Sequence, residues 1–175
     1  EAMKRLYQKT DTFGKLNSMH ARRTNMGPVR EDTSCLWDLA PHDVSIFHYI
    51  LDGVMPSQVS ATGHCALGNE REDVVFLTLF YPETVAHIHV SWVDPHKVRD
   101  IVLVGSKQRI VFNDMSTRTP ITVYNKGVAK ETENLGGKMI DFVQMRDGDI
   151  VMPKVASAEP LMTQVRHFVD CCVNG

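Results

Sequence analysis

Cysteine is scarce in these 175 residues, with four, at Cys35, Cys65, Cys171 and Cys172. Their spacing fits neither a zinc ribbon nor a thioredoxin motif, and the adjacent pair Cys171 and Cys172 would close only a strained disulfide. Reduced thiols are the expectation. An excess of one charge is lacking too: 19 Lys and Arg stand against 21 Asp and Glu, a formal net charge of -2. With no basic run, electrostatics offers nothing to nucleic acid or to an anionic membrane surface. No apolar stretch approaches a membrane span and no signal peptide is visible, so a cytoplasmic protein without a membrane partner is expected. Three signatures are also missing. Without G-x-G-x-x-G after a strand there is no dinucleotide-binding turn, and without G-x-S-x-G or GKS/GKT the serine-hydrolase and P-loop readings fail.

What remains is an ordinary globular composition, 43% apolar and 23% charged, long enough for one sizeable core. The chain opens on Glu1 rather than Met, as a piece of a longer product would. Residues 2–10 read as a short helical run ended by Gly14, and Lys15 to Arg23 as an extended segment. Thr24 to Ser34 carries Asn25, Gly27, Pro28 and Asp32, which predicts a loop. Asp38 and Pro41 suit a helix start. Val44, Phe47, His48 and Leu51 follow at helical spacing, and Gly53 ends the helix before Pro56.

A first strand is expected around Gln58 to Leu67. β-Branched or aromatic runs then recur at Val74 to Leu79, Val85 to Trp92, Arg99 to Val104, Arg109 to Phe112 and Ile121 to Tyr124. A spacing of about ten residues predicts consecutive, mostly antiparallel strands. Gly127 to Lys138 is polar and reads as a mobile loop before a weaker strand near Met139 to Gln144. Pro160 opens a closing helix with Leu161, Val165, Phe168 and Val169 on one face. The pattern predicts a single α+β domain over residues 1–175, a large open mostly antiparallel sheet with helices packed on one face. Val74 to Leu77 is apolar on both alternations, so a partner domain or subunit is expected on the second face.

The chemistry concentrates before and in the first long helix. Asp38 and His42 are four residues apart, so a carboxylate can meet an imidazole on one helical face, an acid/base device suited to a substrate hydroxyl. The same spacing also serves a structural cap and a core histidine. Arg22, Arg23, Asn25 and Arg30 just upstream are able to clamp phosphates, or to form a solvated basic loop. His42-Asp43 spells the dipeptide of metal-dependent phosphohydrolases, a two-residue match without the further ligands of those all-helical domains. His87 and His89 share a strand face and with His42 would make a three-histidine zinc site, though packed sheet histidines are favoured and no metal is expected. Asp94, His96, Lys97 and Arg99 read as a charged turn, and Asn113-Asp114 as a hairpin turn.

Several segments taken in order resemble one family. Asn25 to Arg30 (NMGPVR), Leu36 to Asp43 (LWDLAPHD) and Ser91 to Arg99 (SWVDPHKVR) are followed by Val104 to Lys107 (VGSK), Ile121 to Gly127 (ITVYNKG) and Glu159 to Leu161 (EPL). Together they look like the C-terminal domain of the Gfo/Idh/MocA oxidoreductases, and most like the branch that works on nucleotide-linked sugars in polysaccharide biosynthesis. The resemblance implies an N-terminal Rossmann domain binding NAD or NADP, absent from this chain along with the Glu-Lys-Pro segment whose Lys completes the site. It also implies a sheet face that forms homodimers or homotetramers. His42 would take the proton of a sugar or nucleotide-sugar hydroxyl, Asp38 would orient the imidazole, and Arg23, Asn25 and Arg30 would contact substrate. Taken alone, the chain is expected neither to bind NAD tightly nor to turn over. The alternative reading is a non-catalytic binding or dimerisation module without a cofactor domain.

Overall fold

Apolar side chains recur at every second position of the middle strands, and burying them makes one dry sheet face against which helices pack. The computed structural model describes residues 1–68, 70–135, 138–156 and 159–174. Two short helices, α1 (Ala2–Tyr7) and α2 (Thr10–Phe13), precede β1 (Leu16–Met26) and the long helix α3 (Cys35–Ile50). Then come β2 (Gln58–His64), β3 (Val74–Phe80), β4 (Val85–Ser91), β5 (Val93–Gly105), β6 (Arg109–Asn113) and β7 (Ile121–Tyr124). The chain continues through β8 (Gly127–Leu135), β9 (Lys138–Arg146), β10 (Ile150–Val151) and α4 (Pro160–Asn174).

The main sheet has eight strands in the order β10-β7-β6-β5-β1-β4-β3-β2. Six of its pairings are antiparallel and one, β1 with β4, is parallel. The expected α+β class and open, mostly antiparallel sheet hold. The strict succession of neighbours does not. β4 ends at Ser91 beside Thr24, and β5 begins near Met26 on the other side of β1, so Trp92 alone carries the chain across.

Register sets the core. Leu77, Ile88, Ala21 and Ile101 are successive cross-strand neighbours, and Leu103, Ile110 and Val123 form a second row. These residues are buried with Phe47 and Ile50 of α3, Phe13 of α2 and Met3 of α1. Each fully buried aliphatic side chain contributes about 1.5–3 kcal/mol. α2 ends at Gly14, and Gly105 runs directly beneath it. A Cβ on Gly105 would sit 2.5 Å from the Phe13 carbonyl oxygen and 2.7 Å from its ring. Backbone cannot yield as a side chain does, so Gly105→Ala is expected to lower stability by about 1–3 kcal/mol, read from urea unfolding midpoints.

Four local expectations are corrected. β1 continues past Arg23 to Met26, three strand residues into the predicted loop. Asp94 to Arg99 is strand rather than turn; Pro95 is tolerated opposite the register shift between Thr24 and Met26, where no ladder bond is needed from it. Gly127 to Lys138 is no loop: β8 pairs with β9 as a separate hairpin, Val128 facing Met145 and Lys130 facing Val143. α3 begins at Cys35, three residues before Asp38, leaving Pro41 inside the helix. The earlier start has a long-range cause, since the Cys35 N–H donates to the Glu72 carbonyl at 3.0 Å. The other end of α3 follows the sequence: Gly53 takes a φ of 87° and its N–H caps the His48 carbonyl at 2.9 Å.

The outer sheet face carries polar and aromatic groups. His20 lies directly beside His87 across the parallel pair. Ser18 Oγ lies 3.1 Å from the His20 ring and Thr78 Oγ1 lies 3.2 Å from that of His87, while Phe76 stacks on His89 at 4.4 Å between centroids. Partial burial, followed by the charges of His87 and Arg109, holds the His20 imidazole below its usual 6.5. The unfolded chain therefore takes up this proton first, so the contribution of neutral His20 is complete above pH 6.5 and declines as pH falls below it. His20→Gln is expected to shrink the loss of unfolding free energy on acidification through that range, measured by urea titrations at a series of pH values.

Candidate active-site cleft

α3 brings the candidate residues to the helix-covered side of the sheet. Asp38 lies in its first turn, where a carboxylate complements the helix dipole. Its Oδ2 accepts from the Trp92 indole N–H at 3.2 Å, and its Oδ1 from an Arg30 guanidinium N–H at 3.4 Å. Arg30 also grips Asp32 with two N–H groups, at 3.0 and 2.6 Å. That hydrogen-bonded charge raises the Arg30 guanidinium and holds the Asp32 carboxyl below its usual value. Among the described residues no hydrogen bond joins Asp38 to His42. The shared helical face is real, but the carboxylate is turned to the loop before the helix and to Trp92.

His42, one turn on, is exposed and lines a cleft of about 390 Å³ with Arg23, Ser45, Ile46, Arg99 and Asp114. Such a volume is at the small end of the ~300–1,000 Å³ typical of ligand pockets. Arg23 enters from β1, its Nε and Nη2 donating to both oxygens of Asp43 at 3.1 and 2.7 Å. Asp43 is almost wholly buried, so this fork fastens α3 to β1 directly behind His42. Of the five residues expected from the sequence, the cleft joins Arg23 and His42. Asp38, Asn25 and Arg30 are not among the residues lining it. Asn25 has a buried side-chain oxygen without a partner.

Ser45, Arg99 and Asp114 are among the cleft residues that the sequence reading did not assign to a site. Arg99 pairs with Arg23 across β5 and β1, and its carbonyl accepts from the Asp114 N–H at 2.9 Å, so sheet geometry sets their side chains together. Alternation from Leu103 through Ile101 to Arg99 was the available signal. His87 and His89 flank buried Ile88 and lie on the opposite face from α3, away from His42. Among the described residues no three His, Cys, Asp or Glu side chains are arranged to hold a metal ion. Cys35 is no nucleophile, because burial pushes its thiol up to about 12. Among the described residues no helix is long and apolar enough to cross a membrane.

The same fold occurs in solved oxidoreductases. GnnA, a UDP-N-acetylglucosamine 3-dehydrogenase from Acidithiobacillus ferrooxidans, superposes with a TM-score of 0.68 at 20% identity, over 98% of this chain and 52% of that one. GenD2 from gentamicin A biosynthesis, in complex with NAD, gives 0.70 at 15% identity, over 99% and 50%. An oxidoreductase from Magnetospirillum magnetotacticum MS-1 gives 0.66 at 23% identity, over 95% and 50%. The chain thus spans about half the length of these structures, and at such identities the likeness establishes the fold. No curated protein matches the sequence. The sequence profile of the GFO/IDH/MocA C-terminal domain matches residues 2–111, which include β1, α3 and most of the cleft. The chain therefore belongs to the GFO/IDH/MocA C-terminal domain family, the C-terminal domain of a group of oxidoreductases.

Proposed function

We propose that this chain is the substrate-binding and oligomerisation domain of an NAD(P)-dependent oxidoreductase acting on a hydroxyl of a sugar or nucleotide-sugar. The observation that carries the reading is His42, solvent-accessible at a ligand-sized cleft on a helix locked from behind by the Arg23–Asp43 pair. The name of GnnA supports the substrate class, and the NAD complex of GenD2 supports the cofactor.

This chain's own residues do not fit the cofactor's pyrophosphate. The turn from β1 into α3 offers one glycine, Gly27, then Pro28, Glu31 and Asp32. The first-turn donor of Cys35 is already spent on Glu72, and the Asp38 carboxylate occupies the positive end of the helix. The cofactor is therefore assigned to a Rossmann domain beside this one. A nicotinamide held there would supply the hydride acceptor for the carbon that bears the reacting hydroxyl. His42 takes the proton of that hydroxyl through a ring nitrogen. Asp38 acts as a positioning residue, tying Trp92 and Arg30 to the first turn so that the helix presents His42 at a fixed place. We assign self-association, as a dimer or tetramer, to the outer sheet face, where Phe76 and Phe80 stay exposed.

The test is NAD(P)+ reduction by the full-length protein offered a panel of free sugars, polyols and nucleotide-sugars. Turnover with at least one of them is expected. Tight self-association with no reduction by any would favour the non-catalytic module instead.

A further inference from the structure

The outer face of the sheet sets three imidazoles among apolar side chains. Register places His87, His20, Val102 and Val111 side by side in one row across β4, β1, β5 and β6. The row on one side holds Phe80, Val85 and Val104, and the row on the other holds Phe76 and His89. Phe76 stacks on both β4 histidines, 6.2 Å from His87 and 4.4 Å from His89 between centroids.

The charged groups around the pair are mostly of one sign. Arg22 on β1 lies beside His89 and bonds Asp100 of β5 at 3.4 Å. Arg109 enters from β6, and its charge bears on His20. Asp94, at the start of β5, acts on His89. β3 offers the pair the Thr78 hydroxyl, and β2 adds Ser60 and Thr62 at the end of the rows. Among the described residues no carboxylate bonds His20 or His87. A proton on His20 therefore meets His87 and Arg109 without a counter-charge.

A second copy of the chain suits this face by size. Eight strands of about six residues present roughly 700 Å², close to the ~800 Å² per partner of a stable dimer. The centre of such a contact is poor in charge, and neutral imidazoles beside Val102 and Val111 satisfy that condition. Protonated ones do not.

We propose that two copies pack outer face to outer face around the His20–His87 pair, and that protonation of these imidazoles releases them. The inference rests on the assignment of self-association to this face, and it adds the groups that control it. Separated protomers take up protons that the assembled face excludes, so dissociation grows as pH falls. Burial already holds His20 below its usual 6.5, which places its part of the release in the acid limb below that value.

The test is sedimentation velocity of the full-length protein from about pH 7.5 to about pH 5.5. The association constant is expected to fall by about tenfold or more, and to recover on return to neutral pH. The double variant His20→Gln with His87→Gln cannot gain these protons and should stay associated in acid. A second measurement needs no variant: at neutral pH, diethyl pyrocarbonate should modify His20 and His87 more slowly in concentrated, associated protein than in dilute protein, followed by peptide mass spectrometry. A parent protein that stays associated throughout would overturn the proposal and leave self-association standing. A parent monomeric at every pH would overturn both. Equal labelling at the two concentrations, or a double variant that dissociates in acid as its parent does, would remove the pair from the contact.

Discussion

Asp43→Ala is expected to lower unfolding free energy by about 3–5 kcal/mol, because it strands the Arg23 guanidinium in a desolvated place without its partner. The side chains are 2% and 17% exposed, so water cannot replace the lost carboxylate. Arg23→Ala leaves the reverse problem, a buried carboxylate, and should cost a similar amount. The double replacement Arg23→Met with Asp43→Leu removes both charges and is expected to recover most of the loss, since a buried pair is weakly stabilising against apolar residues of similar volume. Urea denaturation of the four proteins closes the cycle. A loss below about 1 kcal/mol for Asp43→Ala would mean that the pair is solvent-screened rather than structural.

His42→Ala is expected to slow turnover of the full-length protein by about 10²–10⁴-fold, the range for loss of a positioned general base. Substrate affinity should change far less, because the rest of the cleft lining remains. The effect belongs in kcat, and His42→Gln, which keeps a polar side chain and cannot take the proton, should be equally slow. Asp38→Asn should act more mildly and through structure: the Trp92 hydrogen bond can persist while the attraction to Arg30 is lost. Turnover of His42→Ala within about threefold of the parent protein would remove His42 from the proton transfer.

These two residues are neighbours in sequence and show how far spacing can be trusted. Asp43, Phe47 and Ile50 fall at helical intervals on one stripe, and two of the three are core side chains. The sequence reading instead took Val44, Phe47, His48 and Leu51 as the helical face, of which only Phe47 is buried, and did not place Asp43 on the buried stripe. Its partner, Arg23 on β1, was not legible either, because it comes from the pairing of distant segments. For the same reason Arg23 read as a substrate contact. The spacing of Asp38 and His42 predicted a shared face correctly. It said nothing of Trp92, 54 residues further on, whose indole takes the oxygen that the imidazole was expected to use.

The sheet was legible where alternation and turns are local, as in β3 and β4, and at the end of α3, where Gly53 must adopt a positive φ. It was not legible where the decision is tertiary. β1 is inserted between two strands joined by the single residue Trp92, and no local pattern distinguishes that from a hairpin. The polar run of β8 has low strand propensity, yet it pairs along its length with the more apolar β9. Arg99 and Asp114 were hidden by turn signals on either side, Asp94-Pro95 and Asn113-Asp114, which outweighed the alternation that places Arg99 on the helix face.

The most direct test of the central claim is a crystal structure of the full-length protein with NAD(P) and a sugar substrate bound. The account predicts the reacting hydroxyl within about 2.6–3.2 Å of a His42 ring nitrogen, with the adjoining C–H turned to the nicotinamide. A substrate bound with its reacting hydroxyl against another residue, and His42 left facing solvent, would contradict it.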